Sequence, residues 1–172
     1  MGKKKTKGDG NAHSATPALQ VLNDAGLDYQ LVEYEHNDVM EHGFALDTAS
    51  VLNLDPNTVF KTLLVETDSG QASVGVVPAS ATLNLKSMAK AIGAKHAEMM
   101  DPLKAERITG YIKGGISPIG QKRKLPTIID ESALNYDAIL VSGGKRSLSI
   151  SISPQTLATV TDAKFAPIAN TR

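Results

Sequence analysis

Val59-Phe60-Lys61-Thr62-Leu63-Leu64-Val65-Glu66-Thr67, then Asp68-Ser69-Gly70-Gln71, then Ala72-Ser73-Val74-Gly75-Val76-Val77 form one continuous run in mid-chain. Two apolar, β-branched arms flank a polar turn that carries a glycine, the pattern of a β-hairpin. A hairpin joins antiparallel strands directly, which argues against a doubly wound parallel sheet. Upstream, Thr16-Pro17 reads as an N-cap and first helical residue, followed by a stripe of Ala18, Leu19, Val21, Leu22 and Ala25 that Gly26 stops. Residues 29–34 read as a strand, Phe44 to Leu52 as a helix, and Asn53 to Thr58 as a loop. Downstream, Asn84 caps a helix ended by Gly93, and Asp101-Pro102 opens a short one through Arg107. Pro126 to Asp130, Ala138 to Val141 and Leu148 to Ile152 are strand-like, with Gly143-Gly144 read as the turn between the last two. Ser153-Pro154 opens a closing helix. The expected class is α+β, a mixed and largely antiparallel sheet with packed helices.

The chain has 172 residues, the length of one domain. Residues 1–14 lack apolar periodicity and read as a disordered basic tail, so the expected domain is 15–172. Absence of cysteine excludes disulfides, thiolate metal sites and a cysteine nucleophile on the protein. No apolar run reaches the ~20 residues that span a bilayer, and no apolar stretch follows the N-terminal lysines as in a secretory signal. A cytoplasmic protein without membrane contact is expected. The net charge is zero, yet no Lys or Arg stands between Gly8 and Phe60. From Lys61 onward there are 14 basic and 9 acidic residues. Such asymmetry suits a polyanionic partner as well as an unevenly charged solvated surface.

The nucleotide-binding glycine motifs, the HExxH zinc motif and the GxSxG elbow are absent. His36 and His42 stand among acids, compatible with a metal site but more commonly found as loop histidines. Two places invite chemistry. Lys61 interrupts an apolar strand, either as a snorkelling edge residue or as a charge aimed into a cleft, where it suits a phosphate or developing oxyanion. The loop Thr109 to Pro126 holds Gly110, Gly114, Gly115, Pro118 and Gly120, with Lys122, Arg123 and Lys124 close by. Glycines expose backbone N–H groups and cations add charge, as a phosphate-bearing ligand needs; a solvated loop with a basic tip has the same composition. Val141-Ser142-Gly143-Gly144-Lys145-Arg146 repeats the theme on a smaller scale.

Taken in order, Thr16-Pro17-Ala18, Tyr34-Glu35-His36, Phe60-Lys61-Thr62-Leu63, Thr109-Gly110-Tyr111, Gly114-Gly115-Ile116-Ser117-Pro118, Leu125 to Asp130 and Val141 to Arg146 resemble the YbaK family of aminoacyl-tRNA deacylases. The likeness runs from Thr16 to Ala169 and is nearest to the branch that clears cysteine mischarged onto proline tRNA. The resemblance implies a fold like the editing domain of bacterial prolyl-tRNA synthetase, and hydrolysis of the ester between a wrong amino acid and the tRNA 3′ adenosine. It implies no metal or organic cofactor, the aminoacylated tRNA 3′ end as partner with prolyl-tRNA synthetase as a second, and neither DNA nor membrane. It places the family's essential lysine on Lys61, its glycine-rich loop on Gly114 and Gly115, and substrate-binding positions on Tyr34, Thr62, Ser142 and Ser149. Ser149 stands where the cysteine-editing branch commonly has an acid, and Ser147 replaces a usual glycine.

These expectations assemble into a trans-editing hydrolase for Cys-tRNA(Pro), with Cys-tRNA(Cys) as a further candidate. The Gly114 and Gly115 N–H groups would form an oxyanion hole, with Lys61 on a phosphate or the ester region. Lys122, Arg123, Lys124, Lys145 and Arg146 would meet tRNA phosphates. The resemblance suggests the substrate's own thiol as attacking group, and a thiol near pKa 8.5 needs no strong base. Alternatives are a water-using deacylase for alanine or serine esters, and a noncatalytic tRNA- or synthetase-binding module.

Overall fold

The computed structural model describes residues 4–7, 16–34 and 44–170, with the main chain alone for 4–7. The hairpin that anchors the reading is present. β3 (Phe60–Thr67) and β4 (Ala72–Pro78) pair antiparallel over seven residue pairs, from Phe60 opposite Pro78 to Glu66 opposite Ala72. They centre a five-stranded sheet completed by β6 (Ala97–Met99), β7 (Thr127–Asp130) and β10 (Lys164–Ala166), in the order β10-β7-β4-β3-β6. β7 runs parallel to both β4 and β10. A second sheet, antiparallel throughout, orders β1 (Lys4–Lys7), β2 (Gln30–Glu33), β9 (Leu148–Ile152) and β8 (Ile139–Lys145). The short strands β5 (Thr82–Leu83) and β11 (Ala169–Asn170) make a third pair.

Side-chain alternation along the strands builds three apolar layers. Phe60 and Leu64 of β3, Val74 and Val76 of β4, and Leu148, Ile150 and Ile152 of β9 meet in a central core between the two large sheets. Two helices close that core, α1 (Pro17–Asp24) with Leu19 and Leu22 and α5 (Pro154–Thr161) with Leu157. Val65, Val77 and Ile128 face the opposite side of the five-stranded sheet and pack with Met88 of α3 (Leu85–Ala91). Val32, Tyr34, Val59 and Leu140 pack with Ala49 and Leu52 of α2 (Phe44–Leu52) on the far side of the second sheet.

The caps fall where the sequence places them. Thr16, Asn84, Asp101 and Ser153 each accept a first-turn N–H, the third opening α4 (Pro102–Thr109). Two expectations are corrected. Lys4–Lys7, read as part of a disordered tail, lie as strand β1 along β2. Main-chain groups at an open sheet edge can bind a segment of any composition, so apolar patterning does not announce such a strand. The rest of the tail, with His13, and the segment holding His36 and His42 fall outside the described residues. Gly143 and Gly144 are not the hairpin turn; they lie inside β8, and Arg146 and Ser147 turn the chain. A Cβ on Gly144 (φ +108°) would lie 2.9 Å from Thr16 and from the Tyr111 ring, so close packing demands that glycine. Ser147 takes the left-handed conformation at φ 68°.

Asp130 ties the C-terminal segment to β7. Its carboxylate is buried and accepts from the backbone N–H groups of Ile168 (2.9 Å), Ala169 (3.0 Å) and Ser132 (3.2 Å), and from the Ser132 hydroxyl (2.5 Å). Asp130→Ala strands the buried Ile168 N–H, and we expect a loss of about 3 kcal/mol in urea unfolding. Ser147→Gly relieves left-handed strain of ~1–2 kcal/mol but adds unfolded-chain entropy worth ~0.4–1 kcal/mol. The expected net effect is a rise in melting temperature of about 1–2 °C by calorimetry.

Candidate active site

The five-stranded sheet leaves part of β3 uncovered. β6 pairs with β3 only at Val65, Glu66 and Thr67, and the last bond on that side runs from Met100 N–H to the Leu64 carbonyl (3.0 Å). By the two-residue period, Thr62 turns its own N–H and C=O the same way, toward an edge that no described strand pairs. On the other flank, β8 pairs with this segment through one isolated bridge, Val59 with Leu140. The gap between these contacts is a cavity of about 390 Å³. That volume falls in the ~300–1,000 Å³ range of small-ligand sites.

One wall comes from the second sheet. Ser142 and Ser149 face each other across β8 and β9, and Ser149 also opposes Val32 of β2. In Leu148-Ser149-Ile150-Ser151-Ile152 the apolar residues enter the central core, which turns Ser149 to the cavity side. Tyr34 follows β2 into the same wall, and its hydroxyl lies 2.6 Å from Thr48 Oγ1 of α2. Burial raises the Tyr34 pKa above its ordinary value, partly offset by hydrogen bonding to Thr48 and Ser149, so the phenol keeps its proton. The opposite wall is apolar, made by Leu64, Met99, Met100, Pro102 and Ala105. On β3, Thr62 Oγ1 is buried and bonds to no described atom, a polar group that the described residues leave open.

The glycine loop forms the roof. Gly114 lines the cavity, and its N–H has no described partner. With φ +86°, it sits where a Cβ would lie 2.5 Å from the Phe44 ring. Gly115 differs from its expected role. Its N–H donates to the Ile112 carbonyl (2.9 Å), it does not line the cavity, and a Cβ there would lie 2.7 Å from Lys145 Cα. The expected oxyanion pair is therefore divided: Gly114 faces the cavity, while Gly115 lets the loop press against the β8–β9 hairpin. Arg146 locks the arrangement, donating from Nε to the Lys113 carbonyl (3.1 Å) with its guanidinium 4.8 Å from the centre of the Phe44 ring.

Lys61, Lys113 and Lys145 all line the cavity. Of the expected tRNA contacts, Lys145 thus lines the cavity, and Arg146 stands behind it against Phe44 and the Lys113 carbonyl. Lys122, Arg123 and Lys124 do not line it, and Lys124 instead lies 3.8 Å from Asp162. Lys113 and Thr48 are site residues that the sequence reading did not single out. Lys113 stood beside the glycines as an unremarked loop cation. Thr48 looks like any polar residue of a short helix, and only the fold brings it to Tyr34.

Comparison with known proteins identifies the family. The aminoacyl-tRNA editing domain model matches residues 44–160, the span from the first residue of α2 into α5. A protein of Enterococcus faecalis (strain ATCC 700802 / V583), named "Putative Cys-tRNA(Pro)/Cys-tRNA(Cys) deacylase EbsC", is 37% identical over 168 residues, covering 98% of each chain. A crystal structure described as a putative trans-editing enzyme for prolyl tRNA synthetase superposes with TM-score 0.80 at 22% identity, over 93% of this chain and 99% of that one. The crystal structure of hypothetical protein APE2540 gives TM-score 0.79 at 22% identity, over 90% and 99%. At such identities the two structures speak for the fold alone. The family match and the E. faecalis relative reach further: this chain belongs to the aminoacyl-tRNA editing domain family.

Proposed function

We propose that the chain is a freestanding editing hydrolase that deacylates cysteine mischarged onto proline tRNA, working in the cytoplasm on the 3′ end of the tRNA and in concert with prolyl-tRNA synthetase. The observation that carries this reading is the cavity itself. Three lysines and a bare glycine N–H surround a small apolar and hydroxyl-lined space, at the unpaired edge of β3. Cations suit the phosphates and the developing oxyanion of an esterified nucleotide. The small space beside Thr62, Ser142 and Ser149 suits a short side chain. Cys-tRNA(Cys), which the name of the E. faecalis relative includes, is a second substrate for the same site.

An aminoacyl ester is already activated, so positioning and electrostatics supply much of what hydrolysis requires. The Gly114 N–H and the Lys61 ammonium stabilise the carbonyl oxygen as it gains charge. The cysteine thiolate attacks its own ester carbonyl; a sulfur–carbon bond forms, the carbon–oxygen bond to the ribose breaks, and the 3′ oxygen leaves with a proton. Water then opens the cysteine thiolactone to free cysteine. Lys113 and Lys145 hold the phosphates of the tRNA end.

Single-turnover deacylation of proline tRNA charged with cysteine, alanine or serine tests this reading. Cysteine should be cleared fastest, and Lys61→Ala should slow that reaction by ~10²-fold or more while leaving the protein folded. Equal clearance of the serine ester would replace thiol attack with water attack. No clearance of any ester would leave a tRNA-binding module. Binding should also weaken with salt. Lys113→Ala and Lys145→Ala should each lower the slope of log affinity against log salt by about one phosphate's share, ~0.7 for a single-stranded end.

A further inference from the structure

Arg107, Lys122 and Arg123 form a basic surface that the cavity does not use. All three side chains are exposed, and none lines the cavity. None forms an ion pair with a described residue. The backbone brings them together. Lys122 N–H donates to the carbonyl of Thr109, the last residue of α4 (2.8 Å). A Cβ on Gly110 would lie 3.5 Å from Lys122 Cβ. Arg107 stands three residues before Gly110, the spacing of neighbours on one helix face, so Arg107 and Lys122 flank the same end of α4. Two nearby acids are otherwise engaged. Glu106 accepts the Lys113 N–H (2.8 Å), and Asp162 lies 3.8 Å from Lys124, which leaves Lys124 out of the group.

The surface is also held in place. Gln121 Nε2 donates to the Ser117 carbonyl (3.0 Å), and the buried Tyr111 hydroxyl to the Ile119 carbonyl (2.6 Å). Gly120 presses on α1, where a Cβ would stand 2.7 Å from the Pro17 backbone. The loop that carries Lys113 and Gly114 to the cavity thus fixes Lys122 and Arg123 relative to it. Three residues separate Gly110 from Lys113, a reach of at most ~11 Å, so one ligand can meet both groups of cations.

The chemistry of the surface favours one kind of nucleic acid. Single strands are gripped by aromatic rings on which their bases stack, as well as by charge. Among the described residues no aromatic side chain is exposed, so this surface offers charge alone. That suits a duplex, which keeps its bases stacked inside and presents dense rows of phosphates. We propose that Arg107, Lys122 and Arg123 are a second tRNA contact, a docking surface for the phosphates of the acceptor-stem duplex, separate from the cavity that takes the 3′ end. The inference rests on the deacylase reading and adds to it where the body of the tRNA lies.

The test compares cysteine esterified to the trinucleotide CCA with cysteine esterified to an acceptor-stem hairpin of proline tRNA. On the hairpin, the double variant Lys122→Gln, Arg123→Gln should raise the half-saturating concentration about tenfold, a few-fold for each exposed ion pair, with the maximal rate little changed. It should also lower the slope of log affinity against log salt by about two phosphates' share, ~0.9 each for a duplex. On the trinucleotide the double variant should match the wild-type protein. Arg107→Gln should show the same dependence on substrate to a smaller degree. The control is Lys86→Gln, Lys90→Gln, an equal loss of charge at exposed positions of α3 on the opposite side of the five-stranded sheet, which should keep its affinity for the hairpin. Equal losses on both substrates, no loss on the hairpin, or an equal loss from the α3 pair would overturn the proposal. A loss that arises only when prolyl-tRNA synthetase is present would overturn it in favour of a protein partner. A wild-type protein that clears neither ester would overturn the deacylase reading instead, and titration of the uncharged hairpin and trinucleotide with the same variants then decides the docking surface by the same comparison.

Discussion

Strand β3 is bound differently along its two edges, and the rest of the molecule is arranged around that asymmetry. β4 accompanies it for its full length on one side. On the other, β6 pairs only with Val65, Glu66 and Thr67, and the second sheet adds one isolated bridge, Leu140 with Val59. Continuing either contact would satisfy the backbone of Thr62 and erase the cavity. Unpaired main-chain groups in a partly buried place are costly unless water or a ligand bonds them. The apolar layers on both faces of the sheet stabilise that exposed stretch from elsewhere. The result is a cleft floored by a regular strand, which holds Thr62 more rigidly than a loop could.

The roof depends on three long-range contacts between segments that are far apart in sequence. Phe44 begins α2, Gly114 belongs to the loop after α4, and Arg146 is in the β8–β9 turn; the Phe44 ring packs on Gly114 and stacks with Arg146. Gly115 against Lys145 adds a backbone contact with no room for a Cβ. The interlock brings Lys113 and Lys145 to the cavity that Lys61 also lines. Several cations on one concave surface favour an anionic ligand. Packing that brings the loop and hairpin together thus also prepares a site for phosphate.

Much of this was legible in residues that act locally. Thr16, Asn84, Asp101 and Ser153 announce helix starts because a cap is a contact over three residues. Alternation in Leu148 to Ile152 separates core from cavity because strand geometry has a fixed period. The short strands β5, β6, β10 and β11 went unread, since two or three residues carry no period. Gly143-Gly144 has the composition of a turn, but Thr16 and Tyr111 determine its need for glycine, and both are distant in sequence. The same limit hid the division between Gly114 and Gly115, and the place of Lys113 and Thr48. Composition showed that the loop could bind an anion; which N–H remained available depended on a turn closed by Ile112.

Ser149 sets the charge of the cavity wall that it shares with Ser142 and Tyr34. Where the cysteine-editing branch commonly carries an acid, this chain carries a buried serine facing Ser142 and beside Tyr34. An acid at that position would offer the phenol a charged acceptor and would place a negative charge opposite the three lysines. A serine does neither. It leaves the described lining positive, which favours the anionic end of the substrate but gives its α-ammonium no carboxylate to meet. The neutral oxygens of Ser142, Ser149 and Tyr34 are what this wall offers in its place.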